Sequence, residues 1–599
     1  MKFKWFVLWF YAFALHSVMG QAVLKSQHEV TNFSAISQEK VYVHANASFL
    51  LTGEYLYYKI YCLDTKENGL SQLSKVGYVE LIGKEGEPVF RHKVLLQNGL
   101  GQGDFFIPTD VASGVYKLVA YTRWMQNTDE TGFYQKDITI VNPYRSNQPE
   151  LQKSKVVGAD SLAMAPMDTV VNSSKKTVPL KNSGPLQLNL NGTNFGKRTK
   201  VIISLEGVDT SDTSTGRYSV SIRKKDGSVT SDGLQLSDVM KKMDNFKNTT
   251  AAMGHTPILP ELRGELFQGK VLAVQEGGSV KNLKVGVSIP GNDYVLEIVR
   301  TDDFGNFLVN IHKSYGAEQL FAQVLSENPE GYTIQINEPN TVERSKLDFK
   351  EMDIDIGLRD EIERRSVHSQ IENSYFQFRP DSIVTVQAEY FLDNFVGKTY
   401  LLDDYTRFTT VRETLLEIVK DAISKRIDKD DYAIRVNGYD YTSLSDIPPL
   451  ILLDGLLVQD HNTLLDFDAR KIEQIIVYRQ KLIYGPEIYE GAIILVTKEG
   501  AGYEAFGDAF GVKSFTVPRP RPIKKYFVQR YDTQGSVEFF SRLPDDRLQL
   551  LWEPTLYLTE KESRIDFFTS DVSGEFEIHL EGITADGRPV SIRSSFIVD

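Results

Sequence analysis

Through most of the chain, apolar and polar residues alternate over short runs that end in glycine-rich turns. The runs Val41-Tyr42-Val43 and Tyr55 to Cys62, divided by Thr52-Gly53-Glu54, open the series. GYVELIG, GDFFIP and GVYKLVAYTRWM continue it. Period-two runs at regular spacing predict an antiparallel β-sandwich over residues 24–143. After a Ser-, Asn-, Lys- and Pro-rich stretch at 144–184, read as a linker, the alternation resumes in LQLNLNG, TKVIISLEGV and YSVSIRKKD, which predicts a second sandwich over 185–255. A third is predicted over 261–345 and a last one over 526–599, which carries about six strand runs.

Two stretches break the β pattern. Residues 346–395 are densely charged and read as a partly helical connector. TTVRETLLEIVKDAISKR reads as a helix: Thr410 with Glu413 forms a capping box, and Val411, Leu415, Ile418, Val419, Ala422 and Ile423 share one face that is expected to pack on a sheet. In ILLDGLLVQD, residues 451–460, an Asp-Gly pair stands between two apolar runs, which is the signature of a type I′ hairpin. Asp454 is therefore expected to turn the chain rather than to do chemistry, and Asn is expected to serve in its place. The prolines of TVPRPRPIKK make 501–525 an extended linker. The fold class predicted is mainly β and multidomain: serial antiparallel β-sandwiches plus one α+β unit at 396–500, with no transmembrane barrel.

Charge changes the picture by exclusion. A formal net charge of −13 spread along the chain argues against nucleic acid as a partner. The first residues read as a signal peptide over 1–20: Lys2 and Lys4 precede the apolar run Trp5 to Leu15, and Val18 and Gly20 suit a cleavage site. No later run is long enough for a membrane helix, so the chain is expected to have no transmembrane segment of its own. The only cysteine is Cys62, which excludes an internal disulfide and offers no lipid anchor after the signal. Together these predict an exported protein, periplasmic or outer-membrane-associated in a Gram-negative bacterium.

The search for chemistry is negative. The histidines are scattered and no H-E-x-x-H, G-x-S-x-G or P-loop occurs. Glu351, Asp353 and Asp355 depart from a calcium loop because Gly357 falls where a third ligand belongs. Ser221 and Lys224 match S-x-x-K, but in an alternating strand they face opposite sides. Cys62 lacks the context of a thioester and reads as a core residue. Trp124 and the tyrosines at 55–61 are expected in the core, with a sugar- or peptide-stacking surface as the alternative. No catalytic residue, metal or cofactor is expected, and the chain is read as a non-enzyme.

Several motifs carry family resemblances. K-V-Y-V-H, G-D-F-F-I-P and S-G-V-Y-K-L-V-A-Y-T-R-W-M, within residues 39–125, resemble a macroglobulin MG2 domain. T-D-D-F-G-N-F at 301–307 resembles the turn of carboxypeptidase-regulatory-like domains, which implies a turn at Asp302 and Gly305 leading into a buried Phe307. Leu453-Asp454-Gly455, Asp468 to Val477, Tyr484-Gly485 and Gly491 to Lys498 resemble the plug domain of TonB-dependent outer-membrane receptors. The last stretch is similar to the final sandwich of envelope proteins that combine such domains. The ~22-stranded barrel of a receptor has no room after Gly500. The resemblance thus implies a non-enzymatic scaffold that docks on a protein partner, such as a TonB-dependent barrel or its machinery, with Asp454, Gly455, Tyr484, Gly485 and Gly491 as candidate docking residues. A macroglobulin-like protease trap without a thioester is the alternative.

Overall fold

The computed structural model describes residues 37–146, 184–207, 216–225, 234–243, 258–337, 342–384, 391–438, 446–507, 511–558 and 562–599, apart from 85–87, 129–131, 353 and 355. The expected signal peptide, most of the 144–184 linker, and Asp353 and Asp355 lie outside the described residues. Within them the chain is mainly β. Its strands form nine open sheets, and no helix is long and apolar enough to cross a membrane.

The first sandwich joins two sheets. One is centred on Tyr55–Asp64, paired with Glu39–Ala45 on one side and with Gly69–Leu70 and Leu100–Phe106 on the other. The second runs Phe49–Leu51, Tyr134–Val141, Gly114–Tyr121, Val76–Ile82 and Phe90–Leu95. Leu56, Tyr58, Ile60, Val79, Leu81 and Leu118 meet between them. Phe49–Leu51, just before Thr52, pairs in parallel with Thr139, Ile140 and Val141, and Leu50 and Leu51 are fully buried.

Residues 185–255 and 526–599, expected as two sandwiches, build one. Leu186–Leu190 and Lys200–Gly207 form a sheet with Glu562–Phe568. Gly216–Lys224 sits between Gln549–Leu558 and Gly574–Thr584, and Pro589–Val598 continues that sheet. One core unites Val201, Ile203, Val220 and Ile222 with Phe567, Phe576, Ile578 and Phe596. Neither stretch has enough strands to cover its own apolar face, and each supplies what the other lacks.

The third sandwich packs Glu265–Ala273, Asn306–Ile311 and Tyr332–Ile336 against Lys284–Ile289, Val295–Arg300 and Gln319–Leu325. The stretch expected as a Pro-rich linker is stitched into three sheets instead. Val512–Thr516 pairs with Gln319–Leu325, Pro520–Arg521 with Phe90–Leu95, and Lys524–Lys525 with Ser382–Ile383. Its prolines are tolerated because they lie at sheet edges, where a missing N–H costs no ladder bond.

The α+β unit has a five-stranded sheet in the order Gly397–Leu401, Ile472–Tyr484, Glu487–Thr497, Leu450–Leu453, Leu456–Leu457. The helices Val411–Glu417 and His461–Asp466 share one core with Leu453, Ile475, Val477 and Ile493. On the other side, Leu450, Leu452, Leu482 and Ile494 meet Leu296 and Ile298 of the third sandwich. Burial on both faces is why 450–453 and 456–458 read as continuous apolar runs rather than alternation. The capping box at Thr410 and Glu413 forms as expected. The helix it starts ends at Glu417, however, and Ala422–Arg426 becomes a strand paired with Tyr432–Val436. The apolar stripe is buried through Ala422, whereas Ile423 is only half-buried.

Candidate functional site

Asp454 and Gly455 both have positive φ, 48° and 91°, so the hairpin turns as its sequence predicts. The Asp454 side chain does more than turn. It is buried, and its carboxylate accepts hydrogen bonds from Thr497 N (2.8 Å), Thr497 Oγ1 (2.6 Å) and Gly502 N (2.7 Å). The expectation that Asn would serve equally is corrected, because an amide presents one acceptor oxygen where the site uses two.

The other candidate docking residues also face the chain itself. A Cβ on Gly455 would lie 2.2 Å from Tyr294 Cβ, and one on Gly485 would lie 2.6 Å from the Ile298 carbonyl oxygen. The Tyr484 hydroxyl donates to the Leu296 carbonyl, and its ring lies 4.2 Å from that of Phe391. Gly491 is buried against Val436 and the Tyr478 carbonyl. The third sandwich thus occupies the hairpin face on which docking was expected.

A different site forms where the first sandwich, the composite sandwich and the helix Arg359–Ser374 meet. At its base Glu54 is buried. It accepts from Arg365 Nε (2.6 Å) and Nη2 (2.7 Å), Arg223 Nη2 (2.9 Å) and Leu51 N (3.1 Å). Burial alone would push this carboxyl up, but Arg365 and Arg223 outweigh it and hold the group at about 2. One carboxylate therefore ties together three segments remote in sequence. Beside it, Arg379 grips Glu372 through both carboxylate oxygens (2.8 and 2.9 Å), and Arg547 grips Asp545 (2.6 and 2.7 Å).

Above these pairs lies a cleft of about 150 Å³. Phe376, Tyr55, Tyr57 and Trp552 form a column of near-parallel rings, with centroids 5.7, 5.6 and 5.9 Å apart. Tyr526, from the stitching segment, stands edge-on to Tyr57 at 5.2 Å. Burial raises the Tyr55 phenol to about 12, with Asp104 and Asp381 adding to it, so the hydroxyl stays protonated. Of the aromatics singled out in the sequence, Trp124, Tyr58 and Tyr61 are core, as expected, while Tyr55 and Tyr57 are cleft walls. Phe376, Tyr526 and Trp552 were missed. Only their convergence in space marks them, and no local pattern signals it.

A second buried cluster lies along the seam between the first and composite sandwiches. His44 Nδ1 is 2.6 Å from Ser219 Oγ, His579 Nε2 is 2.7 Å from Glu581 Oε1, and the two imidazoles are 4.5 Å apart. Burial drives both histidines well below their ordinary range. The grouping of Ser, His and Glu has the components of a hydrolase site, but His44, Ser219 and Glu581 are buried, His579 is mostly so, and the cluster joins the two sandwiches. Cys62 is buried, and burial pushes its thiol far up. Lys224 Nζ turns to the Ser573 carbonyl, away from Ser221. Among the described residues no group of His, Cys, Asp or Glu is arranged to hold a metal. At Asp302 the expected turn is present: its carboxylate accepts from Phe304 N and Asn306 N at 2.8 Å, and Phe307 is buried.

No known protein family matches the chain, and no curated protein does. Solved structures overlap it weakly. The Salmonella alpha-2-macroglobulin reacted with methylamine is 9% identical with a TM-score of 0.22, across 94% of this chain and 39% of that one. The Escherichia coli alpha-2-macroglobulin activated by porcine elastase is 9% identical with a TM-score of 0.23, across 94% and 44%. A Listeria innocua beta-glucosidase in complex with gluconolactone is 15% identical with a TM-score of 0.13, across 18% and 16%. This chain spans less than half the length of the two macroglobulins. TM-scores this low assign neither a family nor an activity.

Proposed function

We propose that the chain is a non-enzymatic scaffold of the bacterial cell envelope that docks a protein partner on the free edge of its α+β sheet. The observation behind this reading is the strand Gly397–Leu401. It pairs with Ile472–Tyr484 on one side and with no described strand on the other. Val396 and Leu401 beside that edge are 76% and 47% exposed. An unpaired edge flanked by apolar side chains is suited to strand addition, in which main-chain bonds give affinity and side chains give selectivity. The buried ion pairs of Glu54 with Arg223 and Arg365 support a scaffold, because each joins sequence-remote segments rather than facing solvent. The plug likeness of residues 400–500 makes a TonB-dependent outer-membrane barrel, or its machinery, the partner class, and an exported location accompanies that reading.

A photo-crosslinking amino acid at position 401 in the full chain, followed by mass spectrometry of solubilised envelopes, tests it. Recovery of an outer-membrane barrel crosslinked at 401 is the expected result. Recovery of proteases instead would favour the trap reading, and no crosslinked protein would overturn docking at this edge.

A further inference from the structure

The first and third sandwiches meet along a polar seam that neither the docking edge nor the aromatic cleft uses. Its fasteners come from the stretch that leads into Glu265–Ala273. Lys75 N donates to the Glu261 carbonyl (2.8 Å), and Arg123 Nη1 donates to the Leu266 carbonyl (2.6 Å). Asn127 donates to the Ile258 carbonyl (2.8 Å) and accepts from its N–H (2.7 Å). Lys93 of the first sandwich pairs with Glu265, which also accepts from Tyr315 Oη (2.6 Å).

The side chain of Glu261 lies among these contacts and is 0% exposed. Its two oxygens have unlike surroundings. Oε1 accepts from Tyr78 Oη (3.0 Å) and from Leu266 N (3.1 Å), whereas Oε2 is buried and meets no donor among the described residues. This is the arrangement that suits a neutral carboxylic acid, in which the carbonyl oxygen takes the donors and the other oxygen carries the proton. An ionised carboxylate would place charge on Oε2 with no donor beside it, and buried charge without partners is costly. The charged groups that act on it are Arg123, which favours ionisation, and Glu265, which opposes it, while Lys93 is taken up by Glu265. Glu80, on the strand of Tyr78, is already held by Arg91 Nε (3.2 Å) and Tyr121 Oη (2.6 Å). Burial outweighs the rest and pushes the Glu261 carboxyl up to about 7.

We propose that Glu261 is a proton-operated clasp between the first and third sandwiches, closed while its carboxyl holds a proton and loosened when it ionises. Pro520–Arg521 pairs with Phe90–Leu95 independently of the clasp, so loosening changes the seam without parting the chain. The sign is that of an acid whose folded value is raised. In the open seam the carboxyl returns to its ordinary 4.5. This group therefore leaves closure unchanged below about pH 4.5, weakens it about tenfold per pH unit from there to about 7, and adds nothing further above. The full span is about 300-fold.

Hydrogen–deuterium exchange of the purified full chain, read by mass spectrometry from pH 5 to pH 8 and corrected for the intrinsic rate, measures the opening. The amides of Lys75 and Leu266 report the seam, and the strand Gly114–Tyr121 is the control. Protection at Lys75 and Leu266 should fall about tenfold per pH unit from pH 5 to about 7 and then level off, while Gly114–Tyr121 keeps its protection. Glu261→Gln, which cannot ionise, should hold the seam's protection constant across the range. Arg123→Gln removes the cation that favours ionisation, so in that variant the fall should continue to higher pH. Seam protection in the parent that does not change with pH overturns the proposal, and so does an equal fall in the parent and in Glu261→Gln. A fall that levels off at the same pH in Arg123→Gln as in the parent overturns it even if Glu261→Gln fails to fold.

Discussion

Replacing Glu54 with Gln would keep the shape of the side chain and remove the charge that faces Arg365 and Arg223. The magnitude follows from the structure in two ways. Glu54 is fully buried and its carboxyl is held at about 2, against an ordinary 4.5. That difference corresponds to about 3 kcal/mol at neutral pH. Breaking a buried ion pair by removing one partner costs about 3–5 kcal/mol, because the charge left behind is uncompensated. The sign with pH is fixed as well. A lowered carboxyl stabilises the fold above the unfolded value and ceases to do so as pH falls through the folded one. The gap between E54Q and its parent should therefore be constant above about pH 5 and shrink by about 1.4 kcal/mol per pH unit from about 4.5 toward 2. Val367, on the helix that carries Arg365, is 53% exposed, and the native Cys62 is buried. A dye on V367C would thus report urea-induced release of that helix without competing labelling. A loss under about 1 kcal/mol at pH 7, or a gap that stays the same between pH 5 and pH 3, would refute the reasoning.

Asp454→Asn should cost about 1–3 kcal/mol in urea unfolding of the α+β unit, because at least one of the donors at Thr497 and Gly502 loses its acceptor. His579→Gln should gain on its parent as pH falls below about 6.5, by up to about 1.4 kcal/mol per pH unit, and thermal unfolding across that range measures it. The sign follows from burial: the unfolded chain takes up a proton at this histidine that the folded one refuses. A chain ended at residue 525 should leave 184–224 open to protease while the first sandwich stays protected, because the strands that cover Gly216–Lys224 are missing. Equal protection of both would contradict the composite sandwich.

Local chemistry was legible in the sequence. The Asp-Gly hairpin, the Thr410 capping box and the Asp302 turn each depend on neighbours a few residues away, and each formed as expected. Strand existence was legible too, because alternation is local. Strand partnership was not. Nothing within LQLNLNG or TKVIISLEGV says that its sheet is completed by Glu562–Phe568. The helix stripe failed for a related reason: Ala422–Arg426 obeys helical spacing, yet pairing with Tyr432–Val436 overrides it. The same holds at the cleft. Tyr55 and Tyr57 stood out as aromatic positions in a strand, but Trp552 and Phe376 join them only through the fold.

The return of the C-terminal strands to earlier sheets sets the order in which the molecule is able to assemble. Gly216–Lys224 leaves the ribosome long before Gln549–Leu558 and Gly574–Thr584 exist to flank it. At about 5–20 residues per second, the wait lasts on the order of tens of seconds. Throughout it, Val220 and Ile222 lack the partners that bury them, and both edges of their strand stay open to other chains. The composite sandwich is thus an unfinished template until synthesis is nearly over. Passage across a membrane in an unfolded state suits such a chain, and a holding chaperone would find its natural clients in residues 186–224.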